Sequence, residues 1–160
     1  MALKGDREIL QTSIRWRIKT AVDAERGLIM VMTSTDAVCD VGPSTLAGKI
    51  TTGLARPVGL LLDDVENLDY TTRPQIWVRN VVPRGSEVSL LTKGRVKTNK
   101  IHFSAAPSGG RTAYLAVSGL VSTAIGSGVR VGWFESTKDS DGYADLWVDI
   151  QGHMDTKNSF

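Results

Sequence analysis

Residues 110–150 read GRTAYLAVSGLVSTAIGSGVRVGWFESTKDSDGYADLWVDI, and their punctuation decides the fold. Short runs of strand-forming residues alternate with turn signals: Thr112–Val117, the Ser118-Gly119 turn, Leu120–Thr123, the linker Ala124–Gly128, Val129–Phe134, the Asp139–Gly142 turn and Tyr143–Ile150. In the last run Ala144, Leu146, Val148 and Ile150 fall on one side, and Tyr143, Asp145, Trp147 and Asp149 on the other. Successive side chains point to opposite faces of a strand, so this is the pattern of a sheet with one buried and one wet face. The stretch is expected to be a β-meander, and no reactive group sits in it.

Upstream the same grammar continues. Gly27–Thr33 and Asp36–Asp40 read as strands, Gly42-Pro43-Ser44 as a turn and Leu46–Thr52 as a further strand. Gly48-Lys49-Ile50-Thr51-Thr52, Gly94-Arg95-Val96-Lys97-Thr98 and Gly119-Leu120-Val121-Ser122-Thr123 share one pattern: Gly, any residue, a β-branched apolar residue, a polar residue, Thr. Each is expected to form the second half of a tight hairpin, with the glycine at positive φ. Val58-Gly59-Leu60-Leu61 similarly matches Val131-Gly132-Trp133-Phe134. Asp63–Tyr70 has no convincing period and reads as a short helix or a loop; Gln75–Val82 is a strand, Pro83-Arg84-Gly85 a turn, and Glu87–Leu91 a strand. Together these predict an all-β, mainly antiparallel fold, a small β-barrel or β-sandwich over 27–150.

From Leu10 to Thr20, Leu10, Thr12, Ile14, Trp16, Ile18 and Thr20 occupy every second position, with Arg15, Arg17 and Lys19 between them. That spacing fits an extended segment and not a helix. Residues 1–26 are therefore expected to be an N-terminal arm or edge strand followed by a loose link at Ala21–Arg26. Its charges either discourage wrong pairing on an edge or help the arm lie across a neighbouring subunit, with Trp16 filling a pocket there. On the second reading Arg15, Trp16, Arg17 and Lys19 are the contact residues. Residues 151–160 are polar and expected to be a flexible tail.

Composition narrows the function classes. The chain has 160 residues, 22% of them charged, and a single cysteine, Cys39, which has no intramolecular disulfide partner. A reducing compartment fits. The apolar runs fall short of the ~20 residues of a membrane helix, and no apolar block follows the N-terminal charges, so neither a membrane partner nor a signal peptide is expected. Net charge is only +2, but its distribution is uneven. Seven basic residues (Arg73, Arg79, Arg84, Lys93, Arg95, Lys97, Lys100) lie between positions 73 and 100 against Glu87 alone. Six acids (Glu135, Asp139, Asp141, Asp145, Asp149, Asp155) face only Lys138 between 134 and 155. Such segregation suggests a positive and a negative surface.

No catalytic constellation, cofactor site or metal site is expected. His102 and His153 lack partners at ligand spacing, and Asp139-Ser140-Asp141-Gly142 has Tyr143 and Ala144 where a calcium loop would need its next oxygen ligand and glycine. Gly126-Ser127-Gly128 has no lysine for a phosphate loop, and there is no Gly-x-Ser-x-Gly elbow. The basic 73–100 segment with Trp77 leaves one alternative, a nucleic-acid-binding β-barrel that stacks bases on a cationic strand face.

Five stretches carry a resemblance. Val58-Gly59-Leu60-Leu61-Leu62-Asp63-Asp64-Val65 with Asn67-Leu68-Asp69-Tyr70-Thr71, the run from Gly85 to Asn99, and Ala113-Tyr114-Leu115 with Glu135-Ser136-Thr137-Lys138-Asp139-Ser140-Asp141-Gly142-Tyr143-Ala144 resemble the capsid cement, or decoration, proteins of tailed bacteriophages. The likeness spans most of the chain beyond about residue 27. It implies a β-rich, non-enzymatic structural protein, made in the host cytoplasm and carried on the outer surface of the virion. Its partners would be the major capsid protein and further copies of itself, as a dimer or trimer, with nucleic acid the disfavoured partner.

Overall fold

The computed structural model describes residues 8–18, 23–32, 38–41, 56–66, 81–125 and 129–150. It is all-β. The strands are β1 (Glu8–Ile18), β2 (Ile29–Met32), β3 (Val38–Val41), β4 (Pro57–Leu61), β5 (Asp64–Glu66), β6 (Val81–Pro83), β7 (Glu87–Thr98), β8 (Thr112–Leu115), β9 (Val121–Ser122), β10 (Arg130–Phe134) and β11 (Ala144–Asp149). A short 3-10 turn, Val117–Gly119, joins β8 to β9.

Five strands close on themselves in the order β1-β3-β2-β4-β7, because β7 pairs with both β4 and β1. This is the barrel. β7 then runs on past it, and along its far half β11 replaces β4 as neighbour, opening a second sheet in the order β7-β11-β10-β8-β9. A bridge from Ile101 to Val121 ties the last strand of that sheet back to the segment following β7. The handover needs a glycine. Gly94 pairs with Ile9 on one edge and Val148 on the other, has φ +153°, and an added Cβ would lie 2.3 Å from the Glu8 carbonyl oxygen.

Two cores share one wall. Ile18, Met30, Cys39, Val58, Leu61, Val65, Val88 and Leu90 fill the barrel. Ile29, Val31, Leu60, Leu62 and Leu91 point out of the same strands and are covered by Val96, Leu115, Val131, Phe134, Leu146 and Val148 of the second sheet. β4 is therefore buried at all five positions, and a strand covered on both faces reads as an unbroken apolar run. On β11 the expected alternation is met, with Ala144, Leu146, Val148 and Ile150 buried and Asp145, Trp147 and Asp149 partly exposed, but Tyr143, expected on the wet face just before the strand, is buried.

Several expectations need correction. The arm does not stand apart from the barrel over 27–150. β1 pairs antiparallel with β7 along most of its length and parallel with β3 at Arg17 and Ile18, so it is a barrel wall. The described part of the link, 23–26, is also tied down: Ala24 bridges Val65, the Arg26 N–H donates to Asp64, and the adjoining Gly27 N–H donates to the Leu61 carbonyl. The meander is broken too, because β10 pairs with β8 and leaves β9 on the outer edge. Gly94 sits in the middle of one twelve-residue strand and begins no hairpin, whereas Gly119, at φ +74°, does lie in a turn. Asp64–Glu66 is neither helix nor loop but a strand paired in parallel with β6. The remaining copy of the pentapeptide, at 48–52, most of the strand expected at 75–82, Trp77 and the tail 151–160 lie outside the described residues.

Candidate interaction surface

β1 carries the residues singled out as contacts, and its register with β7 determines which way they face. Ser13 stands opposite Leu90 and Trp16 opposite Val88, so three steps on β1 match two on β7. The extra residue is a β-bulge, and a bulge reverses which side chains face in. Downstream of it Trp16 packs against the barrel core and Ile18 is buried. Upstream the register on β7 shifts twice more, between Ile9 and Gln11 and between Gln11 and Thr12, and side chains of both parities are exposed, Ile9 at 44%, Leu10 at 54% and Ile14 at 66%. The even-numbered apolar stripe is thus split into an inner half and an outer half.

The contact residues are redistributed accordingly. Trp16 is a partly buried prop of its own barrel and not an open hook. Arg17 is exposed. Arg15 lies within β1 beside the bulge, and Lys19 falls outside the described residues. Ile9, Leu10 and Ile14 form the exposed apolar set instead. Alternation alone could not reveal this, because a bulge is set by the partner strand.

A second apolar exposure lies at the far end of the strand order. Phe103 is 89% exposed and Ile125 69%. The loop that carries Phe103 is held by its own hydrogen bonds: the His102 N–H donates to the Val121 carbonyl, the Ala105 N–H to the His102 carbonyl, and His102 Nδ1 and Ser104 Oγ are 2.7 Å apart. Phe103 is therefore presented on an ordered loop, with the His102 ring 4.4 Å from its own.

The charges that segregate in sequence meet in space. Arg95 and Lys97 on β7 stand beside Asp145 on β11 and the loop that precedes it. Arg95 bonds Glu135 at 2.8 Å and approaches Asp145 at 3.8 Å, and Lys97 reaches Asp139 at 3.2 Å. Arg84 forms two bonds with Asp23, which hold its guanidinium pKa above the ordinary value. Lys100 pairs with Glu25, and this hydrogen bond holds the Glu25 carboxyl below the ordinary carboxylate value. Four of the seven basic residues counted between 73 and 100 are thus matched by carboxylates, so the expectation of a separate positive surface does not hold there. Between these charges Trp133 and Trp147 stack with centroids 5.6 Å apart, and the Arg130 guanidinium lies 5.8 Å from the Trp133 ring centroid.

Other candidate chemistry resolves into structure. Asp139 Oδ1 accepts the N–H groups of Asp141 and Tyr143 at 3.0 and 2.8 Å, which is a side chain stapling its own turn. Among the described residues no group of three His, Cys, Asp or Glu side chains is placed to hold a metal ion. Burial pushes the Cys39 thiol up to about 12, far from the thiolate that reactivity requires. No helix among the described residues is long and apolar enough to cross a membrane. In comparisons with known proteins, no family model and no curated protein matches the chain.

Proposed function

We propose that this chain is a non-enzymatic structural protein that binds the outer surface of a phage head and stabilises it by bridging neighbouring major capsid subunits. The observation that carries the reading is that large apolar side chains are exposed at more than one place on one doubly cored β-body, Ile9, Leu10 and Ile14 on β1, Phe103 after β7 and Ile125 after β9. A bridge needs a rigid body with more than one point of attachment, and several weak contacts made together multiply affinity through effective concentration. Exposed apolar groups on ordered backbone suit such contacts, since little backbone freedom remains to be lost on binding. The resemblance of the stretches around Val58–Val65, Gly85–Asn99 and Glu135–Ala144 to phage decoration proteins supplies the head as the partner. The pairing of Arg84, Arg95, Lys97 and Lys100 with acids removes support from the nucleic-acid alternative.

Co-sedimentation with expanded heads of the cognate major capsid protein tests the reading. Because β1 is a barrel wall, its deletion would unfold the body, so point changes are the proper probe. The wild type should pellet with heads to saturation, and Phe103→Asp, at a position 89% exposed, should fold normally and bind less. A wild type that stays in the supernatant, or heads bound equally well by Phe103→Asp and Leu10→Asp, would overturn it.

A further inference from the structure

The solvent face of the second sheet carries a cation that its own acids leave unpaired. Arg95 on that face is held by Glu135 and Asp145, and Lys97 by Asp139. Arg130, exposed at the start of β10, makes no side-chain hydrogen bond or ion pair among the described residues. Its guanidinium lies instead 5.8 Å from the centroid of the Trp133 ring, and the attraction of the ring for the cation limits its freedom. Tyr114, partly exposed, stands directly opposite Arg130 in the β8–β10 ladder, and its hydroxyl likewise meets no partner among the described residues. Residues paired in this way share a face of the sheet, so guanidinium and hydroxyl open to solvent side by side. Trp133 in turn stacks on Trp147, which is paired with Arg95.

A guanidinium is a planar fork of donors that matches a carboxylate or a phosphate, and a phenol hydroxyl adds one further donor to the same anion. The surroundings separate the two. Asp145 and Asp149 lie partly exposed on the same face and would repel a run of phosphates, whereas one local carboxylate can be taken at Arg130 alone. Each indole also gives a face to the other, with 15° between their planes, which removes that face from stacking on a nucleic-acid base. Tryptophan, tyrosine and arginine are, by contrast, the side chains that most often anchor protein–protein contacts. We propose that Tyr114, Arg130 and Trp133 form a docking corner for a carboxylate on an acidic segment of a partner protein. Both arms of the guanidinium donate to the carboxylate, the Tyr114 hydroxyl donates to one of its oxygens, and the Trp133 ring holds the guanidinium in place. The corner adds a directional polar contact to the apolar ones, whether or not the partner is a phage head.

Titration of the full chain with a hexaglutamate peptide at physiological salt, followed by NMR, tests this. The signals of Tyr114, Arg130 and the Trp133 indole should shift together and saturate. Arg130→Gln, at an exposed position, should weaken binding about tenfold or more, because a hydrogen bond between charged partners is lost, and Tyr114→Phe should weaken it about two- to fivefold. Arg130→Lys keeps the charge but loses the fork, and should fall between wild type and Arg130→Gln. Lys93→Gln is the control. Lys93 is exposed on β7 opposite Asp149, has no ion pair or aromatic contact among the described residues, and its loss should leave the affinity within about twofold. Hexaglutamate that shifts none of the three signals at millimolar concentration would overturn the proposal. Equal weakening by Lys93→Gln and Arg130→Gln would do the same, since it is the mark of unspecific attraction between charges. A single-stranded DNA hexamer that shifts the same signals at lower concentration than hexaglutamate would give the corner to phosphate and equally overturn it. If Arg130→Gln disturbs the fold, Tyr114→Phe and Arg130→Lys decide.

Discussion

Replacing Gly132 by alanine should be among the most damaging single-methyl changes in this protein. Gly132 lies in β10 opposite Val148, with φ +157°, and an added Cβ would stand 1.8 Å from the Trp147 carbonyl oxygen. Since real Cβ atoms essentially never approach within 3.0 Å, β10 and β11 would have to part by more than about 1 Å. That movement would disturb the Trp133–Trp147 stack on one face and the packing of Val131, Phe134 and Leu146 on the other. Overpacking of a rigid interior costs about 1–3 kcal/mol, and holding a non-glycine residue in a sparsely populated backbone region costs about 1–3 kcal/mol more. A loss of about 3–5 kcal/mol is expected against a total stability of about 5–15 kcal/mol. The melting temperature should fall by about 6–20 °C for a chain of this size. Gly142→Ala is the control, because Gly142 also has positive φ, +81°, but nothing lies within 4 Å of its added Cβ. That change should cost only the backbone strain, about 1–2 kcal/mol. Urea unfolding of both variants, with m-values compared, separates the two contributions. Equal destabilisation by the two substitutions would refute the close approach of β10 to the Trp147 carbonyl.

Three further outcomes follow from the side-chain arrangement. Asp139→Ala removes an oxygen that accepts two backbone N–H groups and a carboxylate that pairs with Lys97, and should cost about 1–3 kcal/mol; Asp139→Asn, which keeps an acceptor, should cost less in the same urea titration. Cys39 should resist a thiol reagent at pH 8 until denaturant unfolds the barrel, since burial pushes its pKa up to about 12; rapid native-state labelling would mean that the barrel opens readily. The Glu25 carboxyl is depressed below its ordinary 4.5, so its pair with Lys100 contributes stability above that pH and loses it as pH falls through the lower folded value. Wild type and Glu25→Gln should therefore converge in melting temperature in acid and differ slightly at neutral pH, the exposure of Glu25 keeping the effect small.

What was legible in the sequence was local. Ala144, Leu146, Val148 and Ile150 carry their strand and its buried face in a two-residue period that needs no partner to be read. The turn at Asp139–Gly142 is equally self-contained, because Asp139 bonds its own neighbours. What escaped depends on residues far away. The register shifts along β1, where Leu10 and Ile14 are exposed, arise from the fit of β1 to β7, with Gln11 and Thr92 81 positions apart. The basic and acidic segments looked like separate surfaces because the pairing of Arg95 with Trp147 and of Lys97 with Asp145 in the β7–β11 ladder is not written in either strand. Gly94 looked like a hairpin residue because a glycine at a turn and one where three strands crowd together are the same letter. Val58–Leu62 is an unbroken apolar run, and only the second sheet explains why both of its faces are covered. Of the expected contact residues, Trp16 packs against the barrel core and Arg17 is exposed. Trp16 drew attention as the largest apolar side chain, and its size is what the barrel core uses.

A density map of expanded heads saturated with the protein would be the most direct test of its function. If the molecule is a capsid clamp, the map should contain β-rich density of this size on the outer surface, touching at least two major capsid subunits, with Phe103 or the outer half of β1 at a contact. Heads whose exterior is unchanged after incubation with excess folded protein would contradict that function.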